Sequence, residues 1–168
     1  MAELNPRDRL QPFLLDRLTD DTPGAVKESR DRGVMSPQQL KAALLRDLGN
    51  LLNTPAPTVA EGIAEFPNVA ASVLNYGVPD MTGKTASGVA SSALERDILR
   101  AIQAFEPRLE KKSVSVRLRD AEVGPNPNAL VLEIKGQVMA NSLPESLYIK
   151  TELDLETGQM SIRDRPNG

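Results

Sequence analysis

The chain contains neither cysteine nor histidine. Without cysteine it forms no disulfide, no thiolate zinc site and no cysteine nucleophile. Without histidine it lacks the commonest general base and metal ligand of proteins, so a Ser-His-Asp triad is impossible. Carboxylates remain as the groups with which the chain could catalyse a reaction, and no metal or cofactor site is predicted.

Aromatic residues are scarce as well, so the core must consist mainly of leucine, isoleucine, valine and alanine. The aromatic residues are Phe13, Phe66, Tyr76, Phe105 and Tyr148. So few rings argue against recognition of single-stranded nucleic acid by base stacking. The net charge of −3 provides no attraction for phosphate backbones. The composition therefore predicts no nucleic-acid partner.

Long apolar runs are also missing. No window approaches the roughly 18 apolar residues of a membrane span, and the first residues show no apolar core of a signal peptide. We therefore expect a cytoplasmic protein that is not inserted into a membrane. The 168 residues, 40% of them apolar, suffice for one domain with a sizeable core.

Apolar residues recur at helical spacing in the first two thirds of the chain. The clearest helix start is Ser36-Pro37-Gln38-Gln39, where serine caps, proline takes the first helical position and Gln39 completes a capping box. Its leucine stripe runs to about residue 52. The spacing predicts further helices over residues 6–19, near 58–64, over 68–75 with Gly77 as the stop, and from Leu94 to Phe105, with a loop over 77–92.

After residue 112 the apolar period changes to two, which is typical of strands. Val114, Val116 and Leu118 begin this pattern, and Gly136 on the apolar side indicates a bulge or a close backbone approach. The predicted fold is α+β, with N-terminal helices followed by a C-terminal antiparallel or mixed sheet of about four strands. Residues 1–35 are expected to form a helix with a polar extension that docks partners. Residues 36–168 are expected to form a single domain, with helices over 36–106 and the sheet over 113–163.

The end of the last helix carries an acid and an arginine on either side of a proline, Glu106-Pro107-Arg108. Proline disfavours helical geometry in the residue before it, and helix C-termini attract cations rather than carboxylates. From spacing alone, two interpretations are equal. The three residues form a helix stop with a surface ion pair, or they form a functional site directed at another chain.

Paired carboxylates are the alternative with catalytic potential. Glu95, Asp97 and Glu106 are the acids near the end of this helix. Glu95 and Asp97 are two residues apart on a helix and point to different faces. An acid beside an arginine suits a structural anion better than a general acid.

Several motifs resemble, in order along the chain, the baseplate wedge family of contractile tails, which includes TssE of type VI secretion and a phage tail protein once labelled lysozyme-like. The main motif is Phe105-Glu106-Pro107-Arg108-Leu109. The others lie at residues 12–18, 28–32, 45–54 and 72–80. The strands after residue 112 match by pattern more than by residue.

The resemblance implies a structural baseplate subunit of a type VI secretion machine and no enzyme. It implies that the protein joins a wedge with TssF, TssG and TssK, near the inner membrane. It also implies that the protein provides the first docking surface for the sheath subunits TssB and TssC. The alternative is a lysozyme-like hydrolase that cleaves peptidoglycan with Glu106.

Two surfaces are expected to bind these partners. Strands around 129–139 and 147–162 are expected to imitate the strand exchange of sheath subunits, with Lys135, Lys150 and Glu152 protecting a free sheet edge from aggregation. The N-terminal helix, with Phe13, Leu14 and Arg17, is expected to engage the wedge. Glu106, Pro107 and Arg108 are expected to hold the junction of helix and sheet and to contact the innermost sheath layer.

Overall fold

A computed structural model describes residues 13–19, 35–57, 62–84, 91–119, 129–139 and 145–164. The α+β prediction is confirmed. The helices are α1 (Leu14–Leu18), α2 (Pro37–Leu52), α3 (Pro67–Ala70) and α4 (Ser91–Phe105), with 3-10 turns at Ile63–Glu65 and Val73–Asn75. The strands are β1 (Ser115–Arg119), β2 (Ala129–Val138), β3 (Glu145–Asp154) and β4 (Met160–Asp164).

Helix α2 begins and ends where the sequence predicts. The Ser36 hydroxyl accepts a hydrogen bond from the Gln39 backbone N–H, and the Gln39 side chain accepts one from the Ser36 N–H. This capping box satisfies two backbone donors of the first turn. One face of the helix is buried through Leu40, Ala43, Leu44, Leu48, Leu51 and Leu52.

Helix α4 is amphipathic and stops one residue before Glu106. Its buried face consists of Leu94, Ile98, Ala101 and Ile102. Because Pro107 disfavours helical geometry at Glu106, the helix ends at Phe105. The chain then turns, with the Leu109 N–H donating to the Glu106 carbonyl, and meets the end of β2, where the Met139 N–H donates to the Arg108 carbonyl at 2.7 Å.

The four strands form an antiparallel sheet in the order β1-β2-β3-β4. The register of β2 and β3 is regular through Gly136, which lies opposite Leu147. The bulge considered for this glycine is therefore absent. A side chain placed there would meet only side-chain atoms, the nearest being Leu109 at 3.5 Å, so no backbone approaches it closely.

Helices α2 and α4 cover one face of the sheet, and the core lies between the two layers. The inward residues of β2 include Leu132 and Ile134, and those of β3 include Ile149 and Leu153. The opposite face carries mostly polar side chains, such as Glu133. Within the described ranges, no helix combines the length and apolar character needed to cross a membrane.

The prediction of one helix over residues 68–75 is wrong. Helix α3 ends at Ala70, and a separate 3-10 turn follows at Val73–Asn75. Ser72 interrupts the helix because its hydroxyl accepts from the Leu74 N–H and starts a new turn. Gly77 does follow with φ +127°, a conformation that favours glycine.

Two further helix predictions fall partly outside the described residues. Of the helix predicted over 6–19, the structure describes residues 13–19, and α1 covers Leu14–Leu18 within them. Near 58–64, the described residues start at Gly62 and lead into the 3-10 turn. The polar stretch between Thr19 and Met35 lies outside the described residues as well.

Each edge strand of the sheet receives a side chain from a helix. On β1, the Leu118 N–H donates to the Glu95 carboxylate of α4 at 2.7 Å. On β4, Asn53 at the end of α2 accepts from the Met160 N–H at 2.8 Å and donates to the Met160 carbonyl at 3.0 Å. Since these groups point away from the neighbouring strand, both helices occupy part of a sheet edge.

Lys135 and Lys150 do not lie at a free edge. Lys135 is on β2 and Lys150 on β3, the two central strands, and each strand is paired on both sides. Glu152 shares β3 with Lys150. The expectation that these residues protect an edge is therefore wrong, because β1 and β4 flank the strands that carry them.

Candidate protein-binding site

Glu106 and Arg108 form an ion pair with each other inside the protein. The Arg108 Nε donates to Glu106 Oε1 at 2.6 Å, and its Nη2 contacts Oε2. The Arg108 backbone N–H also donates to Oε1 at 3.1 Å. Glu106 is only 3% exposed and Arg108 7%. The ion pair is thus buried, and the interpretation as a surface pair is wrong.

Helix α2 supplies a second acid and a second arginine to this cluster. Asp47 Oδ2 lies 2.8 Å from Arg108 Nη2. Its other oxygen accepts from Arg46 Nε at 2.8 Å. Acids and arginines therefore alternate from the inside outward, ending at Arg46, whose side chain is 43% exposed. We call Arg46, Asp47, Glu106 and Arg108 the arginine site.

Helix α1 lies on the arginine site. The Phe13 ring stacks under the Arg108 guanidinium, whose central carbon is 4.4 Å from the ring centre. One turn later, Asp16 Oδ1 accepts from Arg46 Nη1 at 2.6 Å. Phe13 and Asp16 thus bind the two arginines of the arginine site, one through the face of a ring and one through a carboxylate.

The arginine site keeps its cations charged despite their partial burial. Burial alone would lower the pKa of Arg108, but hydrogen bonds and charges from Glu106 and Asp47 outweigh it and raise that pKa. Hydrogen bonds from Asp47 and then Asp16 raise the pKa of Arg46. Both arginines therefore remain cations throughout the pH range in which the protein is folded.

Tyr76 borders the acids of the arginine site. Its ring meets the edge of Phe105 with ring centres 5.2 Å apart. Burial raises the pKa of the Tyr76 phenol, and the negative charges of Asp47 and Glu106 raise it further. The tyrosine is therefore neutral beside the two carboxylates.

Two side-chain atoms at the contact between α1 and the arginine site are buried without a hydrogen bond. Among the described residues, Asp16 Oδ2 accepts no hydrogen bond and Arg108 Nη1 donates none. Buried polar atoms are nearly always satisfied in folded proteins, so each exception needs an explanation. Both atoms lie where α1 meets the arginine site.

The geometry of the three acids does not provide the carboxylate pair that hydrolysis of a glycosidic bond requires. Both oxygens of Glu106 accept hydrogen bonds from Arg108, so neither is free to contact a substrate. The other acids considered are engaged elsewhere: Glu95 accepts from the β1 backbone, and Asp97 forms an ion pair with Arg100. The three acids do not converge on a common site.

The residues predicted to bind proteins fall in three places. Glu106 and Arg108 lie in the arginine site, with Pro107 exposed between them. Phe13 packs on that site, whereas Leu14 and Arg17 are exposed on α1. Lys135 and Lys150 lie on the sheet, where Lys135 is exposed and lies 5.3 Å from the Tyr148 ring centre.

Arg46 and Asp47 were not predicted as members of the arginine site, and Asp16 was not predicted to contact it. The sequence does contain a signal for one of them. Asp47 follows Leu44 by three residues and precedes Leu51 by four, so it interrupts the apolar stripe of α2. A charge at such a position indicates a buried partner, but only the fold reveals that the partner is Arg108.

The sequence matches a protein-family model described as "Baseplate wedge protein gp25" over residues 38–142. The match extends from α2 into the connection after β2 and includes the arginine site. It covers more than half of the chain. Neither the search of curated proteins nor that of solved structures returned a match.

Proposed function

The chain belongs to the family of the baseplate wedge protein gp25, and on that basis we propose that it is a structural subunit of a type VI secretion baseplate. The match over residues 38–142 is the observation that carries the proposal. A baseplate role means interaction with other baseplate components. The specific proposal is a wedge with TssF, TssG and TssK that starts the sheath of TssB and TssC in the cytoplasm, near the inner membrane.

The test of the wedge proposal is co-purification. TssF, TssG and TssK are expressed with the tagged chain, and we expect a stable complex. Deletion of residues 1–34 should weaken it, because the N-terminal helix with Leu14 and Arg17 is proposed to engage the wedge. Recovery of the same complex with the truncated chain would contradict this assignment of the N-terminal segment.

Sheath initiation is proposed to use the edge of β4. The Met160 backbone groups point away from β3 and are taken by Asn53. Because backbone direction repeats every second residue in a strand, Ile162 turns its N–H and C=O to the same side. An added strand from a sheath subunit would pair there through main-chain hydrogen bonds.

Proline substitutions distinguish the two edges of the sheet. Ile162→Pro removes the N–H by which β4 could pair with an added strand. Leu118→Pro removes an N–H of β1 that already donates to the Glu95 carboxylate. The two residues are matched, since both are half-buried and pack against the core. Circular dichroism checks that both variants are folded. We then expect sheath tubes to be missing from electron micrographs with Ile162→Pro and to be present with Leu118→Pro. The reverse result would move the docking edge to β1.

The outer face of the sheet is a second proposed contact. Lys135 and Lys150 project from the central strands on this face, and charge reversal to glutamate should reduce sheath formation if the sheath touches it. Normal sheath assembly with Lys135→Glu and Lys150→Glu combined would remove both residues from the binding surface.

Alanine substitutions of Glu106 and Arg108 separate stability from assembly. Loss of thermal stability with retained sheath would assign the pair to the junction of helix and sheet alone. Unchanged stability with lost sheath would assign it to an interface. Turnover of cell-wall substrate by the purified protein, with Glu106→Gln as the control, tests the hydrolase alternative, and we expect none.

A further inference from the structure

Helix α1 exposes most of its apolar surface. Leu14, Leu15 and Leu18 are 70%, 57% and 73% exposed, and none of the residues of α1 is buried. A helix of five residues is too short to be stable alone in water. Its position on the protein must therefore come from contacts outside its apolar face.

The described contacts that hold α1 are side-chain contacts of a kind that a separate peptide could also make. The Phe13 ring covers the Arg108 guanidinium, and the Asp16 carboxylate binds Arg46. An aromatic face and a carboxylate, three positions apart, are thus matched to two guanidinium groups. Phe13 is the extended cap residue before α1 and Asp16 lies in its first turn, so these contacts can be reproduced by any helix start that places the same two groups at the same positions.

Helix α1 satisfies the site incompletely. Among the described residues, Arg108 Nη1 and Asp16 Oδ2 are buried at the contact and make no hydrogen bond. A segment that offers an acceptor to Arg108 Nη1, and places its carboxylate so that both oxygens are bonded, would bind the arginine site with more hydrogen bonds than α1 makes.

We propose that the arginine site docks a helical segment of a partner protein carrying an aromatic residue and, three positions later, a carboxylate, and that α1 occupies this site in the free protein. Charge complementarity supports this occupant, because the Arg46 side chain is 43% exposed at the outside while Asp47 and Glu106 hold the inner arginine in place. Binding of the partner releases α1 together with its exposed leucines. The proposal does not depend on the assignment to type VI secretion.

A labelled peptide of residues 10–19 is the probe for this site. It is titrated into the full chain and followed by fluorescence anisotropy. In the wild type, α1 competes from within the chain at an effective concentration of the order of millimolar. Phe13→Ala combined with Asp16→Asn removes this competitor, and we call this double substitution the released variant. The peptide should bind the released variant at least about ten-fold more tightly than the wild type.

Matched variants separate release of α1 from a general effect on the helix. Leu15→Ala combined with Leu18→Ala changes two exposed residues of the same helix and should leave the wild-type affinity unchanged. In the released variant, Arg46→Gln should weaken peptide binding about ten-fold, because the carboxylate loses its partner. Arg100→Gln, another exposed arginine that pairs with an acid three residues before it, should change nothing.

Three results would overturn the proposal. The first is equal peptide affinity of the wild type and the released variant. The second is absence of binding to a released variant whose circular dichroism and thermal stability match the wild type. The third is a wild-type dimer, detected by sedimentation, that the peptide dissociates, since the occupant would then be a second copy of this chain.

Discussion

Arg108 connects three parts of the chain through one guanidinium group. It binds Glu106 after α4, Asp47 in the middle of α2 and the Phe13 ring at the start of α1. Its backbone carbonyl also accepts from Met139 at the end of β2. One residue therefore links the helical layer, the N-terminal helix and the sheet.

Replacement of Arg108 by alanine should destabilise the protein strongly. It leaves Glu106 buried at 3% exposure with no cation, and removing one partner of a buried pair costs about 3–5 kcal/mol. Urea denaturation followed by circular dichroism measures the change. Arg100→Ala is the control, since its exposed pair with Asp97 is worth at most about 1 kcal/mol. Equal stability of the two variants would contradict a structural role for the buried pair.

Stability at alkaline pH should depend on Tyr76. Its pKa in the folded protein is raised above the ordinary value of 10.0. The folded state therefore holds this proton more tightly than the unfolded state. The contribution to stability is complete below pH 10.0 and is lost as the pH rises through the raised pKa. Unfolding free energies of Tyr76→Phe should vary less with pH in that range.

The titration of Tyr76 can be observed directly. The chain has two tyrosines, so Tyr148→Phe leaves Tyr76 as the only phenol. Ultraviolet absorbance of this variant should show a pKa above the ordinary value. Adding Asp47→Asn removes one of the acids that raise it and should lower that pKa. A pKa at the ordinary value before this change would contradict the described environment of Tyr76.

Helix α2 performs three separate tasks along its length. Its leucines form one side of the core. Arg46 and Asp47, near its middle, belong to the arginine site. Asn53, directly after its last residue, binds the edge of β4 and also donates to the Gly49 carbonyl at 2.9 Å. The helix is therefore fixed to the sheet at its C-terminal end by an amide side chain.

Asn53→Ala should open the edge of β4. It leaves the Met160 N–H and carbonyl without their side-chain partners, which costs about 1–3 kcal/mol. Exposed edge groups also favour pairing with other chains, so aggregation on heating should increase. Asn50→Ala, an exposed change on the same helix, should stay within about 0.5 kcal/mol of the wild type. Unfolding curves and light scattering measure both effects, and equal behaviour of the two variants would contradict the edge assignment.

Elements with strong local signals were predictable from the sequence. The capping box at Ser36 and the leucine stripe define α2, and alternation defines the four strands. The helix over 68–75 was not predictable, because Ser72 hydroxyl and Asn75 amide bonds to the backbone compete with helical ones. Such competition depends on local geometry that residue spacing does not contain.

The candidate site was predictable only in part. Glu106 and Arg108 are only two residues apart, so an ion pair between them was one of the two interpretations that the sequence offered. Their burial does not, because it depends on α2 and α1 packing over them. Likewise, alternation identifies β2 and β3 but not their central position in the sheet, which placed Lys135 and Lys150 wrongly at an edge.

At the scale of the whole molecule, the core lies almost entirely in the layers formed by α2, α4 and the sheet. Helix α1 adds the partly buried Phe13 and no fully buried residue. The stability of the protein should therefore reside in the chain from the cap residue Ser36 onward. Of the N-terminal segment, the described residues 13–19 contribute side-chain contacts to a surface formed by α2 and the turn after α4.

A chain consisting of residues 36–168 should fold on its own. Among the described contacts, it loses the Asp16–Arg46 pair and the Phe13–Arg108 contact, each worth about 1 kcal/mol. Denaturant unfolding should show one cooperative transition, within about 2 kcal/mol of the full chain. A fragment without cooperative unfolding would show that the N-terminal residues complete the domain.

The side chains bound at the two sheet edges restrict how the sheet can move relative to the helices. Glu95 holds β1 and Asn53 holds β4, so the sheet is fixed to the helices on its two opposite sides. Those sides are three strand spacings apart, roughly 14 Å. A sheet attached to the helices at one edge could rotate about that attachment, whereas attachment at both edges prevents this rotation. We therefore expect a twisting load on the outer face of the sheet to move the sheet together with α2 and α4, as one rigid body.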